Sequence, residues 1–235
     1  MAMSEEELAV RLVDVGKAYS VAGIEVEILR GINLGVRSGE FMSILGSYGS
    51  GRTCLLNIMG LISRPTSGRV FIRGKDVTRV NLGSQDSTGS DRVGFLSRAF
   101  GLIPELTVLE NLELAFHITG VDNFEERVTR ALSDVGMEGD EYRLARTLSP
   151  LEARLLSIAR NMAGDVNILV CDDPASGLSS NDAGKIADLL IKANGEREIT
   201  VIVGIPERRP EFDIGLTVRV ENGGLLGESG NEENP

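Results

Sequence analysis

Gly46-Ser47-Tyr48-Gly49-Ser50-Gly51-Arg52-Thr53 sets glycines, a cation and a hydroxyl in the order of a phosphate-binding loop. Such a loop reads Gly, four residues, then Gly-Lys-Ser/Thr. Backbone N–H groups in a tight glycine turn wrap the phosphates, the lysine reaches the terminal ones, and the hydroxyl bears on Mg²⁺. Here the glycine frame is complete and Arg52 stands at the lysine position. Arginine keeps the charge, but its planar fork is larger than an ammonium and is not equivalent at a crowded phosphate. Taken alone, these residues fit a nucleoside triphosphate site and a ligand-free strand-to-helix turn equally well.

The surrounding sequence supplies the elements such a loop needs. Phe41 to Leu45 reads as a buried strand and Cys54 to Met59 as a helix, whose N-terminus favours anions. Upstream, Val10 to Leu45 alternates apolar and polar residues around Ser38-Gly39, which predicts strands leading into the loop. Val70 to Val77 predicts a further hairpin, and the polar run Asn81 to Ser90 an exposed turn-rich segment. From Leu106 to Asn161 the apolar spacing becomes helical, with Thr107 as a cap before Leu109. His117, the single histidine, falls in this stretch and is expected to be half-exposed on a helix. Val166 to Cys171 is a buried strand ending in Asp172-Asp173, and Thr200 to Val203 is another. Alternating strands and helices predict an α/β fold with a mainly parallel sheet and its ligand at the carboxyl edge. Beyond Asn222-Gly223-Gly224 a short hairpin arm is expected, and the Gly- and Glu-rich tail from about 225 to 235 is expected to be flexible.

Composition narrows the partners. A chain of 235 residues forms one large domain or two small ones with ample core. A formal charge of −11 argues against nucleic acid, whose phosphates need a basic footprint. The start, Met1-Ala2-Met3-Ser4-Glu5-Glu6-Glu7, lacks the basic and apolar stretches of a signal peptide, and nowhere do 18 apolar residues run together. A cytoplasmic protein is expected, with any membrane contact made through a partner. Cys54 and Cys171, both in apolar surroundings, read as reduced structural thiols.

With the loop, the helical insert and the double-aspartate strand in this order, nearly the whole chain resembles the ATP-binding subunits of ABC transporters, most closely those of lipoprotein-releasing and macrolide-exporting systems. The matching segments are Val36 to Phe41, Leu55 to Leu61, Pro65-Thr66-Ser67-Gly68 and Leu102 to Leu112. The resemblance implies one ABC-type domain over 1–235. Its parts are a P-loop NTPase core with a mainly parallel sheet, an antiparallel β subdomain and an inserted helical subdomain at about 98–165. It implies ATP and Mg²⁺ as ligands, with Tyr19 stacked on adenine and Gly46, Ser47, Tyr48, Gly49, Ser50, Gly51, Arg52, Thr53 and Cys54 around the phosphates. Thr53 and Asp172 fall at the Mg²⁺ positions, and Ser149 where the opposite subunit's phosphate is met. It also implies a membrane permease on the cytoplasmic face, contacted through Phe100, Leu102, Ile103 and Pro104.

The departures from the family pattern fall on the residues that handle the terminal phosphate. Asp173 stands where the family has the glutamate that polarises the attacking water. It is shorter by one methylene, which withdraws the carboxylate by about 1 Å, and misplacement of that order costs roughly a hundredfold in rate. Asp173 is therefore only a weak candidate base. Arg98 occupies the place of a Mg²⁺-sensing glutamine, and a cation there repels the metal. Pro206 replaces a phosphate-contacting histidine and offers no side-chain donor. Ser179 replaces an aspartate that couples the two sites of the dimer. The signature Leu-Ser-Gly-Gly-Gln reads Leu148-Ser149-Pro150-Leu151-Glu152. This pattern is better read as a helix capping box, with serine as N-cap, proline at the first helical position and glutamate at the third.

Three activities stay open on these residues. The first is a subunit that binds ATP, cleaves it weakly or not at all, and pairs with a second, competent ABC ATPase. The second is a slow ATPase using Asp173 as base, and the third a nucleotide-independent scaffold of an envelope complex.

Overall fold

In the computed structural model, residues 8–80, 92–99, 101–119 and 124–229 are described, the side chains of 116–119 and 227–229 excepted. The expected exposed run at 81–90, Phe100 and the side chain of His117 lie outside the described residues.

The first strands are β1 (Leu8–Val21) and β2 (Ile24–Arg37), joined by Ala22-Gly23 with φ of 51° and 80°. Positive φ at both turn residues gives the twist that suits a two-residue hairpin. β3 (Phe41–Leu45) leads through the glycine loop into α1 (Arg52–Met59). β4 (Ser67–Ile72) and β5 (Lys75–Asp76) form the second hairpin where Val70 to Val77 predicted one. Then come β6 (Val93–Leu96), α2 (Val108–Thr119), α3 (Phe124–Asp134), α4 (Pro150–Ala163), β7 (Ile168–Asp172), α5 (Ser180–Arg197), β8 (Thr200–Ile205), β9 (Leu216–Glu221) and β10 (Gly224–Ser229).

Two sheets result. One, in the order β2-β1-β4-β5, is antiparallel throughout. The other, β10-β9-β3-β8-β7-β6, is parallel from β9 to β6, with β10 antiparallel at its edge. Strands β3, β7 and β8 are buried along their whole length, as parallel strands covered on both faces must be. Their alternate residues feed two cores. Met42, Ile44, Ile168, Val170 and Ile202 pack with α1 and the antiparallel sheet. Phe41, Leu45, Leu169, Cys171, Val201 and Val203 pack with α2 to α5.

The hairpin arm expected beyond Asn222-Gly223-Gly224 is formed by β9 and β10. Residues 225–229 belong to β10, whose Leu225 pairs with Val220 of β9 and packs against the core. Asn222 and Gly223, at φ of 50° and 79°, form the two-residue turn that folds the chain back.

Among the helices, Thr107 caps α2 as its spacing predicted: its backbone N–H donates to Glu110 Oε2 at 2.7 Å and its Oγ accepts from Glu110 N at 3.2 Å. Asn111, fully buried, pins the preceding loop by accepting from Ile103 N at 2.8 Å and donating to the carbonyls of Ile103 and Thr107 at 3.1 and 2.9 Å. Among the described residues no helix is long and apolar enough to cross a membrane.

Candidate nucleotide site

The loop is held by backbone as much as by side chains. Gly46 N donates to Ile205 O at 3.1 Å, and Gly223 N to Ser50 O at 2.9 Å, so the ends of β8 and of the β9–β10 turn brace it. Gly51, at φ of 101°, caps α1 with no side-chain hydrogen bond. A Cβ there would stand 2.8 Å from Leu29 Cδ2 and 2.9 Å from Ile28 O, so only glycine fits. The first N–H groups of α1 are left without helical partners at the mouth of the loop, where an anion is favoured.

A cleft of about 350 Å³ opens there, lined by Tyr19, Ile28, Ser47, Tyr48, Gly49, Gly51, Arg52, Thr53, Cys54, Asn57 and Arg98. Most of the residues expected to surround the nucleotide therefore meet in one place. Tyr19, on β1, is 45% exposed with Lys17 Nζ 4.9 Å from its ring centre, leaving aromatic surface free to stack. Burial raises the Cys54 thiol above its ordinary range, and pushes that of Cys171 up to about 12. Neither is activated as a nucleophile.

Arg52 does not extend from the loop. Its side chain is buried, donating through Nη1 to the Gly46 carbonyl and standing with Nη2 3.5 Å from Asp172 Oδ1. Thr53 Oγ1 donates to the other oxygen of the same carboxylate at 3.1 Å. Gly204 on β8 lies against two α1 side chains: a Cβ there would collide first with Leu56 Cδ1 and would also press on the Arg52 stem, 3.2 Å from Cδ and 3.3 Å from Nε.

A second pair sits beside the first. Asp173, buried and at φ of 52°, turns the chain sharply after β7, and its N–H donates to Gly204 O at 2.8 Å. Aspartate is among the few residue types that tolerate this conformation. Arg98 Nη2 lies 3.5 Å from Asp173 Oδ2, and the same guanidinium carbon is 5.1 Å from the centre of the Tyr48 ring. Tyr48, Arg98 and Asp173 thus form a chain from the loop rim to the position expected for the base. Arg52 Nε, Arg98 Nε and Asp173 Oδ1 are buried with no hydrogen-bond partner among the described residues. Each such atom costs roughly 1–3 kcal/mol of desolvation until a water or ligand meets it.

Two residues here escaped sequence reading. Gly204 lies just beyond the strand expected at Thr200 to Val203 and belongs to β8. Arg154, on α4, is buried and donates to the carbonyls of Ser97 and Arg98 at 3.0 and 3.4 Å, fixing the segment that carries Arg98. Burial lowers its guanidinium from the ordinary value, with Cys171 and Asp173 opposing.

Ser149 does not line the cleft. It begins α4 in the capping box its sequence predicted, with its Oγ accepting from Glu152 N at 3.3 Å and Glu152 Oε2 accepting from Ser149 N at 2.7 Å. Ser179 likewise caps α5, accepting from Asp182 N at 3.2 Å.

The site's layout agrees with relationships found on comparison. The family model described as "ABC transporter" matches residues 29–176. The chain belongs to the ABC transporter family. It is 35% identical over 204 residues to the lipoprotein-releasing system ATP-binding protein LolD of Aquifex aeolicus, covering 86% of this chain and 91% of that one. It is 28% identical over 225 residues to the macrolide export ATP-binding/permease protein MacB of Syntrophobacter fumaroxidans, covering 94% of this chain and 32% of that one. The fold matches a solved dimeric ATP-binding cassette, bound to ADP and Pi after hydrolysis, with a TM-score of 0.84 and 30% identity over 96% of this chain and 100% of that one. The chain is thus an ATP-binding subunit of the ABC type.

Proposed function

We propose that this cassette is a nucleotide-dependent clamp: it binds ATP, hydrolyses it weakly or not at all, docks on a membrane permease at the cytoplasmic face, and pairs with a second, competent ABC ATPase. One observation carries the reading. Both carboxylates at the end of β7 are engaged by arginines, Asp172 by Arg52 and Asp173 by Arg98, each at 3.5 Å. Each guanidinium holds its carboxylate on a group of the chain itself, in the place where a metal or an attacking water would have to be met. The glycine loop, Tyr19 and the anion-favouring start of α1 are intact, so binding survives where cleavage is impaired.

In a head-to-tail pair each ATP lies between one subunit's loop and the other's signature. Two copies of this chain would make two defective sites. With a competent partner, this chain's loop meets an intact signature and holds ATP, while Ser149-Pro150-Leu151-Glu152 meets the partner's loop. The permease is met through Phe100, Leu102, Ile103 and Pro104. Ile103 is 41% exposed on the loop that Asn111 fixes, which supports a firm apolar contact there. Thr53 and Asp172 are the oxygens that would bear on Mg²⁺, but Arg52 competes for the same carboxylate.

The test is recovery of bound nucleotide. The purified chain, incubated with ATP and stripped of free nucleotide, should release intact ATP after a time in which a competent cassette releases ADP. ADP as the main product would establish the slow ATPase instead, and no retained nucleotide would establish the scaffold.

A further inference from the structure

We propose that this chain binds nucleoside triphosphate without Mg²⁺, the guanidinium groups of Arg52 and Arg98 supplying the positive charge that the metal supplies elsewhere in the family. The inference rests on the nucleotide reading above and specifies the chemical form of the ligand, the metal-free triphosphate.

The donors expected for the metal do not fit it. Asp172 has one oxygen 3.5 Å from Arg52 Nη2 and the other accepting from Thr53 at 3.1 Å, so the carboxylate is already shared between a fixed cation and a hydroxyl. Arginine cannot release its charge by deprotonation. A small dication that demands near-ideal octahedral geometry must displace it.

Charge at the site points the same way. Arg52, Arg98, Asp172 and Asp173 sum to zero formal charge, whereas lysine, glutamine, aspartate and glutamate at those positions leave a net negative charge beside the phosphates. The arginine set therefore removes the repulsion that a metal otherwise neutralises. Planar guanidinium groups are also suited to bidentate phosphate contact. Arg98 Nε is a buried donor with no partner among the described residues, while Arg52, whose Nη1 and Nη2 are turned to Gly46 and Asp172, contributes a fixed charge beneath the loop.

The experiment is equilibrium dialysis of the full purified chain against radiolabelled ATP, once in EDTA and once in excess Mg²⁺. The expected result is dissociation constants that agree within about threefold. Binding more than about threefold weaker in EDTA overturns the inference and leaves the nucleotide reading standing, whereas no binding in either buffer overturns both. Arg98→Gln, at a side chain that is 37% exposed and so tolerant of change, gives a second arm. Checked for an unaltered melting transition, it should bind ATP about tenfold more weakly in EDTA, with recovery on adding Mg²⁺. Undiminished binding of this variant in EDTA would also overturn the proposal.

Discussion

Arg98 Nη2 stands 3.5 Å from Asp173 Oδ2, which joins the position expected to sense the metal to the position expected for the base. The pair spans 75 residues of sequence, and its partners are set by different elements: Arg98 by the carbonyl contacts of Arg154, Asp173 by the turn after β7. Because several groups depart from the family pattern together, repairing one should not restore turnover. Asp173→Glu or Pro206→His alone should stay near background in steady-state ATPase assays, since effects within a catalytic unit are strongly non-additive. Turnover appearing with either single change would show that the remaining groups are competent.

Tyr19 offers its ring to the cleft from β1. Tyr19→Ala should weaken ATP binding by roughly 1 to 3 kcal/mol, the usual scale for a lost base–aromatic stack. Titration of both proteins with ATP checks this, and equal affinities would place the adenine elsewhere.

Gly204 and Arg52 should behave as a structural pair. Gly204→Val drives branched atoms into the Arg52 stem and Leu56, and overpacking of this kind costs about 1–3 kcal/mol. Chemical denaturation should show that loss, reduced when Arg52→Ala removes the Cδ and Nε atoms that the new side chain would meet. An additive double variant would show that the two do not compete for the same space.

Glu152 gives the pH dependence. Its carboxyl is held down to about 2, first by Arg143 at 2.9 Å and then by the Ser149 backbone and hydroxyl. A depressed folded-state value contributes stability that is present above the ordinary glutamate range, near 4.5, and is lost as pH falls through about 2. The parent should therefore lose more stability than Glu152→Gln between those limits in acid melting curves. Parallel curves would show that the capping box and ion pair add nothing in solution.

Legibility in the sequence followed the range of the interaction. The strand–loop–helix around Gly46 to Thr53 could be read because glycine requirements and helix starts are local, as could the capping boxes at Thr107 and Ser149. The direction of Arg52 could not. Its partner Asp172 lies 120 residues away, and the loop motif alone gives no reason for the side chain to turn inward. Gly204 and Arg154 were missed for the same reason: one acts by what it lacks against a distant side chain, the other by holding a backbone far from its own helix. A glycine in a run of β-branched strand residues was the available signal for the first. The hairpin arm at Asn222 and Gly223 could be read from its turn residues, whereas the extent of β10 to Ser229 could not, because its ladder is made by backbone.

The central claim is that this cassette clamps nucleotide beside a competent partner, and the composition of the native assembly tests it most directly. The tagged chain should be purified from detergent-solubilised membranes and the intact complex weighed by native mass spectrometry, with each component identified. The account predicts one copy of this chain, one different ABC ATPase carrying an intact signature and catalytic glutamate, and a membrane permease. A complex holding two copies of this chain and no other ATPase would contradict it.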